Sequence, residues 1–299
     1  MARRRTPTGL SGILALDKPE GMTSHDVVDA VRRKTRERRV GHAGTLDPLA
    51  TGLLLVCVGP ATRLSDYLMT GAKVYEARIC FGRETTTDDR EGETLRVSEL
   101  PPELVDSAFA TQVLSAMTGP LEQLPPAFSA IKKDGVTAYK AARAGMQLEL
   151  EPRQVELFDA FLLATGKDFW EVRLSVSKGY YVRSFARDLG RKLNSAAFLG
   201  TLRRTASGSV TIEQAITLPL SNLSFIDPVA ALGYPLVEVS TTEAQDVAHG
   251  RPLMLSVLQS PNNLISIVHE DHFLALYKTV GKSSLAQPKV VIPGGIPRV

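Results

Sequence analysis

The sequence predicts a fold that mixes helices and strands, of the α+β or α/β class, in two domains. Its 299 residues exceed the size at which one hydrophobic core usually stops growing. Stretches with strand-like alternation and stretches with helical periodicity follow one another along most of the chain. From about Pro235 the pattern changes to short apolar runs that are typical of a small β-rich module. We therefore expect a first domain over residues 1–234 and a second over residues 235–299.

The composition is that of a globular protein in a reducing compartment. Hydrophobic residues make up 43% of the chain and charged residues 22%. The two cysteines show neither a disulfide framework nor the paired spacing of metal ligands. The longest apolar run, LLLVCVG, is far shorter than the roughly 20 residues that span a membrane. We expect a soluble cytoplasmic protein, and its net charge of +3 permits a polyanionic partner without requiring one.

The first elements are a strand and an amphipathic helix. Ile13–Leu16 is an apolar run before a Pro-Glu-Gly turn, and Thr23 or Ser24 has a side chain that can open a helix. Thr23 and Asp26 have the spacing of a capping box. The apolar face of this helix consists of Val27, Val28 and Val31. The pattern predicts a strand, a turn and a helix in that order.

Six basic residues in eight follow, in the stretch RRKTRERR (residues 32–39). The helix dipole favours cations at a helix C-terminus, so a solvated helix end explains the stretch. Contacts with phosphate groups explain it as well. The sequence leaves both interpretations open.

Further elements alternate along the chain. LLLVCVG is a predicted buried strand, PATRLSDYLMT a helix that begins near a proline, and KVYEARICFG an alternating strand. The stretch GRETTTDDREGETLR is polar and turn-rich, and we expect its acidic pairs to be solvated. Helical periodicity returns in ELVDSAFATQVLSAMTG.

The stretch GHAGTLDPLATG (residues 41–52) contains a single carboxylate, Asp47. An aspartate before a proline is typical of a turn or a helix start, which would give Asp47 a structural role. The surroundings also favour a second role, because three glycines let the backbone bend closely around a ligand while Leu46 and Leu49 anchor it to a core. A rigid loop of this kind presents one side chain for chemistry.

Arg183 lies in SKGYYVRSFARDLG, where a predicted strand gives way to a helix. From this position it could reach a carboxylate on another element, or it could pair with Asp188 on the same helix. The chain has no Walker A loop, dinucleotide-binding glycine motif, HExxH sequence or His/Cys cluster with metal spacing. An enzyme with this sequence would be expected to use neither a nucleotide nor a metal.

Several stretches together resemble the TruB-type tRNA pseudouridine synthases, bacterial enzymes that act on the T arm. They occur in family order over most of residues 12–208: LDKPEGMTSHDVV, RRVGHAGTLDPLATGLLLVCVGPATRL, KVYEARICFG, LPPAFSAIK, SKGYYVRSFARDLG and LRRTASG. The C-terminal stretch is similar in loose pattern to a PUA-type RNA-binding module. The resemblance implies an α+β catalytic domain with a central mixed or antiparallel sheet and an RNA cleft. It also implies conversion of uridine 55 of tRNA to pseudouridine, an isomerisation that needs no cofactor and no metal.

The resemblance assigns three residues to catalysis. Asp47 matches the essential aspartate, which acts as an ionised carboxylate beside the ribose, either by direct attack or by promoting elimination to a glycal. Arg183 matches its arginine partner, since a neighbouring arginine lowers the pKa of a carboxyl group. Tyr75 matches the aromatic residue that stacks on the target base; on strand pattern alone it would be an outward side chain.

The resemblance also assigns residues to RNA binding. His42 matches the residue that enters the base stack when the target nucleotide is flipped out. Leu202 and Ile131 match apolar walls of the uracil pocket. The candidate contacts to backbone phosphates are Lys18, Lys132, Lys178, Arg203 and Arg204. Each has a structural alternative, as a turn histidine, a core aliphatic residue or a solvated cation.

The sequence departs from the family pattern at three places. Tyr180 stands where a threonine is common, Phe128 stands where a tyrosine is common, and the C-terminal module matches loosely. Three other functions fit the sequence: the same chemistry on another structured RNA, a tRNA-binding folding chaperone, and a metabolic enzyme without RNA affinity. We expect a monomer with tRNA as its partner and no membrane association.

Overall fold

The computed structural model describes residues 8–129, 131–133, 136–138, 141, 146, 148–255, 261–279 and 284–298. The chain forms two compact units. The first contains Met1–Gly71 and Ala206–Val299, and the second contains Ala72–Thr205. Among the described residues, no helix is long and apolar enough to cross a membrane.

Strands make up much of both units. In chain order they are β1 (Gly12–Lys18), β2 (Val40–His42), β3 (Thr51–Val58), β4 (Lys73–Phe81), β5 (Arg83–Thr85), β6 (Thr94–Val97), β7 (Gly119–Gln123), β8 (Lys132–Lys133), β9 (Val136–Thr137), β10 (Arg153–Thr165), β11 (Phe169–Val176), β12 (Ala197–Ser207), β13 (Val210–Thr211), β14 (Ile216–Thr217), β15 (Phe225–Ile226), β16 (Leu236–Glu238), β17 (Leu253–Met254), β18 (Leu264–His269), β19 (His272–Thr279) and β20 (Leu285–Pro297).

The helices whose bounds lie within the described residues are short. They are α1 (Ser24–Thr35), α2 (Ser65–Leu68), α3 (Ser107–Ser115), α4 (Val182–Lys192), α5 (Pro228–Leu232) and α6 (Thr241–Ala248). Turns of 3₁₀-helix occur at Gly59–Leu64, Pro102–Val105, Ile212–Gln214 and Pro261–Asn263.

The first unit contains two sheets. In one, β1 lies between β3 and β14, β15 also pairs with β1, and β2 pairs with β3. This sheet is mixed, because β1 is parallel to β14 and antiparallel to β3. In the other, the strand order is β16-β18-β19-β20-β17. A single hydrophobic core contains Ile13 and Leu55 from the first sheet and Phe273, Leu276 and Ile292 from the second. The C-terminal sheet therefore packs together with the N-terminal strands.

The helix α1 begins at the predicted capping box. The Thr23 hydroxyl accepts a hydrogen bond from the Asp26 amide (3.1 Å), and the Asp26 carboxylate accepts one from the Thr23 amide (2.8 Å). These bonds satisfy amides that the first turn of a helix leaves without partners. The Thr23 hydroxyl also donates to the Asp26 carboxylate (2.6 Å); this bond first, and then the one from the Thr23 amide, lowers the pKa of the Asp26 carboxyl group. The predicted apolar face is buried, since Val27, Val28 and Val31 are each at most 1% exposed.

The second unit is built on an antiparallel sheet with the order β12-β4-β11-β10-β7. Trp170, the second residue of β11, is fully buried. Its indole N–H donates to the Leu104 carbonyl (2.8 Å), and its ring meets Phe81 and Phe109 edge to face at 5.3 and 6.4 Å. This one side chain joins the sheet to the segment that leads into α3.

The α+β class, the mixed sheet and the β-rich C-terminal region are confirmed. Two predicted helices are each divided into a 3₁₀ turn and an α-helix. In the stretch PATRLSDYLMT, the 3₁₀ turn Gly59–Leu64 precedes α2. In the stretch ELVDSAFATQVLSAMTG, the 3₁₀ turn Pro102–Val105 precedes α3, which starts at Ser107 because the Asp106 side chain accepts a hydrogen bond from the Ala108 amide. A capping side chain inside the periodic stretch explains the second division. The domain division at residues 234 and 235 stays a prediction.

Replacing Trp170 with phenylalanine should lower the free energy of unfolding by about 2 to 4 kcal/mol. The change leaves a cavity and removes the donor from the Leu104 carbonyl, and Leu104 is 1% exposed. Urea unfolding followed by circular dichroism measures the loss. The control is Phe161→Leu on β10, where the side chain is exposed and the change should stay within about 0.5 kcal/mol. Equal losses in the two variants would contradict the assignment.

Candidate active site

Asp47 lies in the loop that joins β2 to β3. Gly44 and Gly52 near the ends of this loop have φ angles of 102° and 98°, which side chains with a Cβ rarely adopt. Leu46 and Leu49, on either side of the aspartate, are each 3% exposed. The predicted anchoring of the loop by these two leucines is therefore confirmed, and Asp47 between them is half-buried.

The turn at Asp47 is closed by main-chain atoms. The Asp47 carbonyl accepts a hydrogen bond from the Ala50 amide at 3.1 Å, with Pro48 at the second position of the turn. Aspartate is favoured at the first position of such a turn and proline at the second. The structural role that the sequence offered for Asp47 is therefore present, and a catalytic role has to be argued from the way in which the loop is held.

The peptide before Asp47 is fixed by one hydroxyl group. Ser24, the first residue of α1, is 3% exposed. Its hydroxyl donates to the Leu46 carbonyl (3.1 Å) and accepts from the Leu46 amide (2.9 Å). Both polar groups of Leu46 are thus bound to the start of the helix.

The peptide after Asp47 is fixed by the connection between β1 and α1. The Pro48 carbonyl accepts from the Gly21 amide (2.8 Å) and from the Lys18 ammonium (3.2 Å). The same ammonium donates to the carbonyls of Pro19 (2.9 Å) and Met22 (2.6 Å). Lys18 therefore ties this connection and the Asp47 loop into one unit.

This position corrects the expectation that Lys18 contacts an RNA phosphate. The residue has no exposed surface, and its ammonium is directed at main-chain carbonyls. A buried ammonium persists only when hydrogen bonds replace its water shell, and the three carbonyls do this. Its position indicates that Lys18 supports the Asp47 loop rather than RNA.

His42 is the last residue of β2 and is half-buried. It pairs with Val56 on β3, while the next residue, Ala43, donates its amide to the Leu55 carbonyl (2.8 Å). The histidine therefore lies at the point where regular pairing ends and the Asp47 loop begins.

In the second unit, Tyr75 lies on β4 and pairs with Leu174 on β11. It is half-buried, whereas Ala77 and Ile79, which follow on the same side of the strand, are buried. The tyrosine is thus the half-buried member of a row of side chains that are otherwise buried.

Arg183 is the second residue of α4 and is 6% exposed. Its guanidinium donates to the carbonyls of Thr87 (3.3 Å) and Phe128 (3.0 Å) and lies 3.8 Å from the Asp89 carboxylate. The alternative of an ordinary surface arginine is wrong, because Arg183 is buried; Asp188 binds Arg187 (2.9 Å). The side chain turns into the unit rather than along its own helix.

The expectation that the acidic pair Asp88 and Asp89 is solvated is also wrong. The two residues are 8% and 4% exposed. The Asp89 carboxylate accepts from the Thr87 hydroxyl and from the Glu91 amide (3.0 Å), so a tight local turn carries it towards Arg183. A polar, turn-rich stretch gave no signal that buried arginines on α4 would cover it.

Asp88 forms the second half of this buried charge network. Its carboxylate binds the Arg187 guanidinium at 2.9 Å, and Arg187 also donates to the Leu124 carbonyl at 2.9 Å. Burial raises the pKa of Asp88 to about 6, while Arg187 and Arg183 oppose the rise. The carboxylate remains ionised at neutral pH and holds α4 against the turn.

A group of cations lies near Tyr75 in the same unit. Lys73 begins β4, Arg204 lies on the neighbouring strand β12, and Lys178 follows β11. Burial first, and then the charges of Arg204 and Lys178, lower the pKa of Lys73 to about 8. Sequence reasoning missed Lys73, whose position at the start of an amphipathic strand gave no signal of burial.

The remaining predicted binding residues lie in the second unit. Leu202, on β12, is 8% exposed. Ile131 is half-buried, and the Ile131 carbonyl accepts a hydrogen bond from the Ala138 amide (2.7 Å). Arg203 is half-buried and Lys178 is exposed. The Lys132 side chain lies outside the described residues.

Arg204 requires a correction. It is 1% exposed, so its guanidinium is not placed to meet a phosphate at the protein surface. A strand alternates its two faces, and Arg204 lies on the opposite face of β12 from Arg203. The alternation explains why two adjacent arginines have different environments.

Comparison with known proteins decides the family. Residues 32–182 match the N-terminal domain of the TruB family pseudouridylate synthases. The chain is 43% identical over 295 residues to tRNA pseudouridine synthase B of Thermobifida fusca, covering 95% of this chain and 99% of the relative. The chain belongs to the TruB family of pseudouridylate synthases. A second relative of the same name, from Rhodospirillum rubrum, is 39% identical and covers 92% of each chain.

Solved structures share the fold of this TruB family member. A chain in the crystal structure of a Cbf5-Nop10-Gar1 complex superposes with a TM-score of 0.71 at 23% identity, covering 96% of this chain and 87% of that one. A chain in the archaeal box H/ACA sRNP Nop10-Cbf5 complex gives 0.67 at 22% identity, with coverages of 96% and 86%. At such low identity the likeness shows the fold alone.

The two side-chain departures from the TruB pattern leave the arginine contacts intact. Phe128 binds Arg183 through its main-chain carbonyl, a contact that any residue can supply. Tyr180 is 9% exposed, and burial raises the pKa of its phenol. Among the described residues, no group of three or more His, Cys, Asp or Glu side chains is arranged to hold a metal ion.

Replacing Ser24 with alanine should lower kcat for pseudouridine formation about tenfold and destabilise the protein by about 1 to 2 kcal/mol. The change removes both hydrogen bonds to Leu46 and loosens the backbone beside Asp47, and small displacements at a reacting group are costly. Steady-state kinetics and urea unfolding measure the two effects. Ser65→Ala removes one hydroxyl bond to the Thr62 carbonyl in the same unit and should leave kcat unchanged. A normal kcat in Ser24→Ala would refute the role of the hydroxyl.

The stability of the protein should rise with pH between about 8 and 10.5 because of Lys73. In this range the unfolded lysine keeps its proton while the buried lysine, with its pKa lowered to about 8, has lost it. The unfolded state then binds more protons, so raising the pH favours folding, by up to about 3 kcal/mol. Urea unfolding across the range, with Lys73→Met and the exposed control Lys278→Met, isolates the effect. The free energy of unfolding of wild type minus that of Lys73→Met should increase as the pH rises, and a constant difference would rule out this origin.

Proposed function

We propose that this protein converts uridine 55 in the T arm of tRNA to pseudouridine, with Asp47 as its catalytic carboxylate. The observation that carries the proposal is the fixation of Asp47 from both sides. Ser24 binds Leu46, while Gly21 and Lys18 bind Pro48. A loop backbone held in this way presents its aspartate without further ordering of the main chain.

The names of the relatives support tRNA as the substrate. The Thermobifida fusca and Rhodospirillum rubrum proteins are both called tRNA pseudouridine synthase B, and the similarity extends over nearly the whole of each chain. This coverage supports a shared substrate as well as a shared reaction.

The reaction itself explains the residues that are needed. The N1–C1′ bond of uridine breaks, the uracil turns, and a C5–C1′ bond forms. N1 gains a proton and C5 loses one, so the atoms balance and no electron leaves the nucleoside. An ionised carboxylate beside C1′ serves this sequence, since the sugar becomes electron-poor when the base departs.

We also assign catalytic roles to Arg183 and Tyr75. The Arg183 guanidinium is held in one orientation by the Thr87 and Phe128 carbonyls and by Asp89, which supports a role in keeping the catalytic carboxylate ionised. Tyr75 is half-buried, which supports stacking of its ring on the uracil. Asp89 acts as a positioning residue for Arg183.

We assign the remaining residues to binding the flipped nucleotide and its backbone. His42, at the end of β2, would fill the gap in the base stack. Leu202 and Ile131 would line the uracil pocket, and Lys178 and Arg203 would meet phosphates. We also propose that the protein works as a monomer in the cytoplasm, where its two free cysteines remain reduced.

The decisive experiment compares wild type with Asp47→Asn on unmodified tRNA. We expect wild type to modify the T-arm uridine and Asp47→Asn to lose at least a thousandfold in rate, because the amide cannot carry the negative charge. Carbodiimide labelling and primer extension locate pseudouridine, and filter binding measures the affinity for tRNA. Asp66→Asn, at an exposed position on α2, is the matched control and should behave as wild type.

Each other outcome identifies a different function. Modification at another uridine would keep the chemistry and change the substrate. Tight tRNA binding by wild type without modification would favour a folding chaperone. Absence of binding at low salt would favour a metabolic enzyme.

A further inference from the structure

The stretch of residues 32–39, which we call the basic cluster, places six cations around one carboxylate at the end of α1. Neighbouring positive charges repel one another, so such a density is unfavourable unless each charge finds a partner. The structure divides the six cations into two sets with different surroundings.

Three of the cations bind other parts of the first unit. Arg32 donates to the Asp29 carboxylate (2.9 Å) and the Val40 carbonyl (3.0 Å). Lys34 donates to the Ser221 carbonyl (2.8 Å), and Arg39 donates to the Thr62 hydroxyl (2.7 Å). These three side chains hold the end of the helix in place.

The other three, Arg33, Arg36 and Arg38, are exposed. Within the part of the chain that the structure describes, their side chains have no hydrogen bond or ion pair. Five other arginines with exposed side chains each face a carboxylate: Arg78 with Glu171, Arg96 with Glu84, Arg173 with Glu76, Arg191 with Glu84, and Arg251 with Asp246. The exposed Arg63, by contrast, donates to the Val291 carbonyl (2.6 Å), and Arg153 is exposed without an ion pair in the described structure. The cluster is distinguished by having three such guanidinium groups within six consecutive residues.

The backbone of the cluster is fixed by its one acidic residue. Glu37 is 8% exposed and accepts hydrogen bonds from the Arg39 amide (3.0 Å) and from the Thr8 amide and hydroxyl (3.2 and 2.8 Å). These bonds, that of Arg39 first, lower the pKa of Glu37. The carboxylate thus serves the main chain and leaves the neighbouring guanidinium groups without a counter-charge.

Arg36 turns the chain at the end of α1, with φ 56° and ψ 13° in the left-handed region. Glycine is the usual residue at this position of a helix, because it alone adopts this conformation without strain. An arginine here spreads the charges around the helix end. Together with Arg32, Arg33, Glu37 and Arg38 it lines a surface depression of about 640 Å³.

The helix dipole explains only part of this arrangement. It favours Arg32, Arg33 and Lys34, which lie in the last turn of α1. Arg36 and Arg38 follow the helix, and the dipole falls off within one turn. A concave surface with three guanidinium groups fits a chain of phosphates, each of which accepts two parallel hydrogen bonds from arginine.

We propose that Arg33, Arg36 and Arg38 form a second RNA-binding surface, which holds backbone phosphates away from the modified nucleotide. The inference rests on the proposed function. The first residue of α1 binds Leu46 beside Asp47, and the 12 residues of α1 span about 18 Å. The surface therefore supplies affinity that is independent of base sequence and lies several nucleotides from the reacting uridine.

The test is the triple variant Arg33→Gln, Arg36→Gln and Arg38→Gln. Each phosphate contact contributes about 0.7 to 0.9 to the slope of log affinity against log salt, so we expect the slope for tRNA to fall by about 2 to 3. We also expect KM for tRNA to rise at least tenfold, and by a larger factor than kcat falls. Filter binding at several salt concentrations and steady-state kinetics provide both readouts.

A charge-matched control removes three paired arginines, as Arg96→Gln, Arg173→Gln and Arg251→Gln. It lowers the net charge by the same amount, and its salt slope should change by less than 1. An equal fall in both variants would overturn the proposal in favour of a general charge effect. An unchanged slope in the cluster variant would also overturn the proposal. It would indicate that this surface binds an acidic partner other than tRNA.

Two further measurements keep the outcomes distinct. The double variant Arg33→Gln and Arg38→Gln preserves the helix end at Arg36. It should lower the salt slope of tRNA binding by about 2. It therefore tests the proposed surface even if the triple variant does not fold. Wild-type enzyme that binds tRNA but forms no pseudouridine would refute the proposed function while the slope still tests the surface. Normal modification with an unchanged slope refutes only the second surface.

Discussion

The fixed connection between β1 and α1 is the constraint on which the Asp47 loop depends. The Ser24 hydroxyl binds both the amide and the carbonyl of Leu46. The Lys18 ammonium and the Gly21 amide bind the Pro48 carbonyl. Because the contacts reach the main chain on both sides of Asp47, they restrict its backbone without using its side chain. The buried ammonium is stable only while these carbonyls surround it, so the connection and the loop stabilise each other.

Main-chain carbonyls also hold buried cations in the second unit. Arg183 is held by two main-chain carbonyls and faces one carboxylate, while Arg187 binds Asp88 and the Leu124 carbonyl. Buried guanidinium groups require several acceptors, and main-chain carbonyls supply them whatever side chains stand there. This explains how Phe128 can replace the tyrosine that is common in the family without loss of the arginine contact.

Charges in this protein are therefore used in two ways. Buried cations such as Lys18 and Arg183 order the backbone or a side chain, and the protein supplies their acceptors. The exposed arginines of the basic cluster have a rigid backbone but no carboxylate partners in the described structure. The contrast separates cations that build the fold from cations that are available to a polyanion.

The sequence by itself determined the local elements and the family. A capping box, an apolar strand and ordered motifs depend on neighbours in the chain, so β1, the start of α1, β3 and the Asp47 motif could all be predicted. Only the tertiary structure decided that Lys18 supports a loop, that Arg204 is buried, and that Asp88 and Asp89 lie under α4. These outcomes depend on burial and on partners far away in sequence. The sequence does not reveal whether a charged side chain is surrounded by water or by carbonyl groups from distant parts of the chain.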